Sequence, residues 1–246
     1  RPRRFRCRWR CARCAPSGRM ACRSSSESSR VVAAVHQPVL AGDDAGPASF
    51  AAAVATRLRA IPVDYAAYET VTSLDRLQAW MAAGYARGHI AFDTETTSLD
   101  PMQADIVGAS FSVEPGRACY VPLAHVSGDG DLLGGGRVPG QIALDDFVRL
   151  VRPLLQDPSI LKIGQNIKFD VLVMARHGIT IAPVDDTMLL SYALDGGRGE
   201  HGMDALALKH LNHTCIPCSK VIELAPGDKK AAKTFAGVPI DKATEY

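Results

Sequence analysis

The sequence predicts an α/β fold, a mixed five-stranded sheet flanked by helices. Three observations predict it. Apolar runs of strand length come first, and then strand-length and helix-length runs alternate, an order that suits helices packed on a partly parallel sheet. The 246 residues are 47% hydrophobic and 22% charged, as in an ordinary globular domain. No run reaches about 18 apolar residues, so no membrane-spanning helix is expected. The formal charge of +2 conceals a division. Residues 1–30 hold ten arginines and one acid, Glu27, whereas the remainder holds 18 basic and 25 acidic residues. An acidic body argues against a nonspecific duplex-binding track, which needs clustered Lys and Arg. It leaves room for a small site that holds a nucleic-acid end through metal ions.

The head, residues 1–30, has no apolar periodicity and cannot bury a core. Its Cys7, Cys11, Cys14 and Cys22 could close a zinc tetrahedron, but they are not spaced as paired C-x2-C knuckles and no His is near. The Arg/Ser richness is also that of a transit peptide, which the cysteines fit poorly. Composition favours a disordered or non-native extension, and an opening Arg1 suggests a fragment. Residues 31–66, rich in Ala, Gly and Pro, read as linker with a short helix at Phe50–Leu58. The domain is expected over residues 67–246.

Ser73 can cap a helix whose Leu74, Leu77, Trp80, Met81 and Tyr85 follow the 3.6 period, with Gly88 as its stop. Strands follow at His89 to Glu95, Ile106 to Val113 and Ala118 to Pro122, the last burying Cys119 as a small core residue. Residues 127–140 hold six glycines but no phosphate-cradle pattern, and read as a surface loop. Leu144 to Leu155 is an amphipathic helix with Asp145 and Asp146 at its positive end. Ser159 to Ile163 is a short strand, and Gly164 turns into a helix from about Asn166 to Arg176. A strand ends at Val184, and Asp185 or Asp186 caps a helix through Leu194. A glycine-rich bend leads to the helix Met203 to Leu211; residues 215–238 read as irregular, and Asp241 as the cap of a last helix. The lone pair Cys215-x2-Cys218 is a weak metal or redox signal, and free thiols suit a reducing compartment.

Chemistry concentrates in two words. In Asp93-Thr94-Glu95 the strand alternation places both acids on one side. Neighbouring acids repel unless solvated or neutralised, and carboxylates without His or Cys favour Mg²⁺ or Mn²⁺. A polar strand end is the plain alternative. In Gln165-Asn166-Ile167-Lys168-Phe169-Asp170, Asn166 and Asp170 are expected i, i+4 on one helix face. That helix starts at the carboxyl end of a strand, where α/β sites gather.

Together these words resemble the first two motifs of the DEDD (DnaQ-like) 3′→5′ exonucleases. The stretches AFDTETTSLD, KIGQNIKFD, DDTMLLSYALD and HGMDALALKHL look most like the proofreading exonuclease domain of family A bacterial DNA polymerases. The resemblance covers roughly residues 66–246 and implies an RNase H-like fold. It implies hydrolysis of a frayed or single-stranded 3′ DNA end, assisted by two Mg²⁺ (or Mn²⁺) ions. Asp93, Glu95 and Asp170 match metal-binding acids, and Tyr246 matches a tyrosine that orients the attacking water. Thr94, Leu99, Gln165, Asn166 and Phe169 match positions that contact the strand. An arginine of the family appears as Glu200, with Arg198 close by. The fourth carboxylate is expected four residues beyond Tyr246, so the expectation for this chain alone is weak trimming. The implied partners are DNA and a polymerase domain, with no membrane, in a bacterial cytoplasm. An RNase D-like RNA exonuclease and a noncatalytic single-strand scaffold stay as alternatives.

Overall fold

The structure is a computed structural model that describes residues 46–127, 136–225 and 234–246. The expectations for the head, for the first part of the linker (residues 31–45) and for the centre of the glycine-rich loop lie outside the described residues. Helix α1 (Pro47–Arg59) extends beyond the expected Phe50–Leu58 at both ends. A two-residue strand, β1 (Glu69–Thr70), precedes α2 (Leu74–Arg87), whose caps are Ser73 and a left-handed Gly88. Then come β2 (His89–Thr96), β3 (Ile106–Glu114) and β4 (Arg117–Pro122). The minor strands β5 (Val126–Ser127) and β6 (Gly136–Arg137) pair with each other. The second half runs α3 (Leu144–Gln156), β7 (Leu161–Gly164), α4 (Lys168–Arg176), β8 (Val184–Asp186), α5 (Thr187–Asp195) and α6 (Met203–Leu211). Two short helices follow, α7 (Cys218–Glu223) and α8 (Ile240–Glu245).

The main sheet has six strands in the order β1-β4-β3-β2-β7-β8. Its β4-β3-β2 centre is antiparallel, and its flanking pairs are parallel. The sixth strand, β1, is too short and polar to give a periodic signal. It is held by tertiary contacts: Glu69 accepts from Arg76 Nε and Nη2, both at 2.7 Å, and from Trp80 Nε1 at 3.1 Å. On one face α2 and α3 close the main core over Leu77, Ile90, Phe92, Phe111 and Phe147. Phe92 stacks on Phe111 with centroids 5.3 Å apart. A second cluster, of Val107, Tyr120, Val221, Phe235, Val238 and Ala243, docks the carboxyl-terminal segment.

Three local readings change. Asn166 lies outside α4, with φ 58° and Ile167 at the cap position, so it does not share a helix face with Asp170. Asn tolerates this left-handed backbone better than most residues, and Asp186 Oδ1 accepts its N–H at 2.9 Å. Val184 starts β8 rather than ending it, because the parallel pairing runs on through Asp185 and Asp186. Pro239, not Asp241, occupies the cap position of α8. Residues expected as linker also join the body, since Arg59 donates to the carbonyls of His210 (2.9 Å) and Lys209 (3.2 Å) in α6. Lys162 is wholly buried in β7, where its ammonium meets the carbonyls of Asp157, Ile160 and Ala182 at 2.8, 2.6 and 2.6 Å.

Candidate functional site

Strand alternation along β2 sends Ile90, Phe92 and Thr94 into buried positions and leaves Ala91, Asp93 and Glu95 half-buried on the other side. The third acid arrives from α4. Gly164 makes the turn into that helix possible, because a Cβ there would stand 2.9 Å from Ile167 Cβ. The turn brings Asp170 against the part of β2 that runs on past its pairing with β7. There its Oδ1 accepts from the Thr94 N–H at 2.8 Å and from the Thr94 hydroxyl at 2.6 Å. Thr94 therefore spends both donors on the third carboxylate.

The three acids share one electrostatic environment. Burial, then the charge of Asp170, raises the Asp93 carboxyl to about 7. Burial, then Asp93 and Asp170, raises Glu95 to about 8. Burial raises Asp170 to about 6 against the opposing pull of the Thr94 donors. Desolvation and like charge are the conditions that a bound cation relieves. All the donors are hard carboxylate oxygens, which fits Mg²⁺ or Mn²⁺. Among the described residues no three His, Cys, Asp or Glu side chains form a ready metal-binding cluster. The fit thus rests on the chemistry of the donors.

Tyr246, at the end of α8, is 41% exposed. Its phenol is held protonated first by burial and then by the charge of Glu95. The Cys218 thiol lies beside the Tyr246 hydroxyl and adds to the upward push on the phenol. The sequence singled out this cysteine only as half of a C-x2-C pair; nothing in the spacing points to Tyr246. Leu99 projects from the loop after β2 and is 96% exposed. Gln165 is internally satisfied: its Nε2 donates to the His201 carbonyl at 2.8 Å, and its Oε1 accepts from Thr187. The Asn166 side chain accepts from Lys168, and Phe169 packs half-buried against the main core. Glu200 and Arg198 are exposed. An apolar cavity of about 580 Å³, lined by Ala91, Ile163, Leu190, Leu194 and Met203 among others, reaches Asp93 at its rim. Asp186, one of the two caps that the sequence offered for the helix through Leu194, has a second role that the sequence did not reveal. Its Oδ1 caps α5 and holds the Asn166 turn, while its buried Oδ2 has no partner.

The family model described as 3′-5′ exonuclease matches residues 68–246. DNA polymerase I of Rhizobium leguminosarum is 47% identical over 209 residues, which is 81% of this chain and 20% of that protein. DNA polymerase I of Pseudomonas aeruginosa is 41% identical over 182 residues, 73% of this chain and 19% of that protein. The chain spans about a fifth of the length of these relatives. Among solved structures, Escherichia coli RNase D is 21% identical, with a TM-score of 0.46 over 72% of this chain and 44% of that one.

Proposed function

The chain belongs to the 3′-5′ exonuclease family, and from that premise we propose that it hydrolyses the terminal phosphodiester at a single-stranded or frayed 3′ DNA end. The observation that carries this reading is that Asp93 and Glu95 share one side of β2 while Asp170 is hydrogen-bonded to Thr94 between them; the raised carboxyls of all three support it. These three would hold two Mg²⁺ or Mn²⁺ ions. Bound cations of that kind supply Lewis-acid activation of water and stabilisation of the leaving 3′ oxygen. Asp93 and Glu95 offer their oxygens from a rigid strand, and Thr94 fixes the rotamer of Asp170. The Tyr246 hydroxyl, kept protonated, orients the attacking water. Leu99 gives the terminal base an apolar surface, while Gln165, Asn166 and Phe169 line the approach of the strand. Proofreading beside the polymerase domain of a longer bacterial protein is the role that suits the relatives.

The test is release of mononucleotides from a 5′-labelled single-stranded oligonucleotide by the chain with Mg²⁺ or Mn²⁺. Trimming from the 3′ end that Asp93→Ala abolishes supports the reading. A chain that neither trims nor binds the divalent ion refutes it, and a preference for RNA ends would move the substrate class.

A further inference from the structure

We propose that His125 is a positioning residue that sets where Tyr246 stands relative to Glu95; this rests on the nuclease reading only for the use to which Tyr246 is put. His125 is wholly buried just after β4. Its backbone is clamped by Gln141, whose Oε1 accepts the His125 N–H at 2.7 Å and whose Nε2 donates to the His125 carbonyl at 2.9 Å. The imidazole has two partners. Nδ1 lies 2.8 Å from the Val238 carbonyl, and Nε2 lies 2.7 Å from the Tyr120 hydroxyl. A carbonyl only accepts, so Nδ1 carries the hydrogen, and in the neutral ring Nε2 accepts from Tyr120.

The ring therefore joins two parts of the molecule. Tyr120 stands in β4 with its hydroxyl over Gly108, where an added Cβ would meet the Tyr120 oxygen at 2.0 Å. Gly108 is the cross-strand partner of Glu95. One side of His125 is thus registered to the strand position that carries Glu95. Its other side holds Val238, the residue before the Pro239 cap of α8, and α8 ends at Tyr246. Phe235 fills the space between, with its ring 6.1 Å from His125 and 5.9 Å from Tyr246. The α8 segment has further anchors in buried Ala243 and in the Thr70–Thr244 hydroxyl pair at 2.7 Å. Loss of the His125 bond should accordingly shift the helix rather than release it.

The two bonds can be separated chemically. His125→Gln keeps an acceptor for Tyr120 and loses the donor to Val238, whereas His125→Asn keeps that donor and loses the acceptor. The full chain is labelled with 3-fluorotyrosine, and the Tyr246 ¹⁹F resonance is identified by its loss in Tyr246→Phe. The expected result is a Tyr246 resonance displaced toward the solvent position in His125→Gln and returned in His125→Asn. In metal-dependent trimming, His125→Gln should lower kcat by about tenfold to a hundredfold, with KM held within about twofold. His125→Asn should recover most of that loss. A Tyr246 resonance unmoved in His125→Gln, or moved equally by both substitutions, overturns the proposal. A chain that neither trims nor binds the divalent ion overturns the nuclease reading instead, and the resonance still decides the role of His125.

Discussion

Ionising Asp93 or Glu95 in the metal-free chain puts negative charge into a desolvated place beside other acids. Their carboxyls stand at about 7 and about 8, against ordinary values of 3.8 and 4.5. Raised values mean stability that is full below about pH 4 and is lost as pH climbs through 7 to 8. The metal-free unfolding free energy should therefore fall by on the order of a kcal/mol or more between about pH 5 and about pH 8.5, and the melting temperature with it. Asp93→Asn should flatten that fall, and added Mg²⁺ should reverse it at the alkaline end; calorimetry across the range checks both. A melting temperature that rises over this window would contradict the assignment. Lys162 poses the opposite problem, since its buried cation donates only to backbone carbonyls. Lys162→Met leaves those oxygens without a donor and should cost about 1–3 kcal/mol in urea unfolding. The acids were legible because strand alternation fixes their common side. Lys162 was not, because nothing local distinguishes a buried lysine from a solvated one.

Helix α2 shows what local sequence can specify. Its apolar spacing, its Ser73 cap and its Gly88 stop all predict the observed Leu74–Arg87. Ser73→Ala should cost about 1 kcal/mol, read from the urea midpoint at unchanged slope. The pair β3–β4 is different, because its decisive contact crosses strands. Gly108→Ala would force the Tyr120 hydroxyl off its seat and with it the bond to His125. A loss of about 1–3 kcal/mol is expected, with the Tyr246 resonance held near its place as in His125→Asn, because the His125–Val238 bond is kept. No spacing rule reveals that Gly108 faces Tyr120, since the two meet only through register. The left-handed turn at Asn166 is likewise set at a distance, by Asp186 twenty residues on. Read locally, Asn166 looks like a helix cap, which is why its shared face with Asp170 did not survive.

At the scale of the molecule, the order of strands and helices was readable because each long element carries its own period. The sixth strand and α7 were not, since two and six residues hold too little pattern to stand out. The site was readable as words and only partly as geometry: the acids lie within reach of one another's charge, while Tyr120 and His125 enter through folding. Charge makes a further prediction. The body beyond residue 30 carries 25 acidic against 18 basic residues. Binding of a short single strand should then depend steeply on the divalent ion and only weakly on monovalent salt, because few phosphate counterions are displaced by Lys or Arg. Fluorescence anisotropy with Mg²⁺ and with a chelator measures this; strong binding in chelator with a steep salt slope would refute it.

The two borders of the main sheet are stubs. β1 is two residues long, and β8 is three residues long, two of them aspartates. A foreign strand laid along either side would find only a few open amides before meeting a helix or a negative charge. The apolar strands at the centre are thereby shielded from edge-to-edge polymerisation, so this domain should stay dispersed at concentrations where a long, bare border would seed fibres.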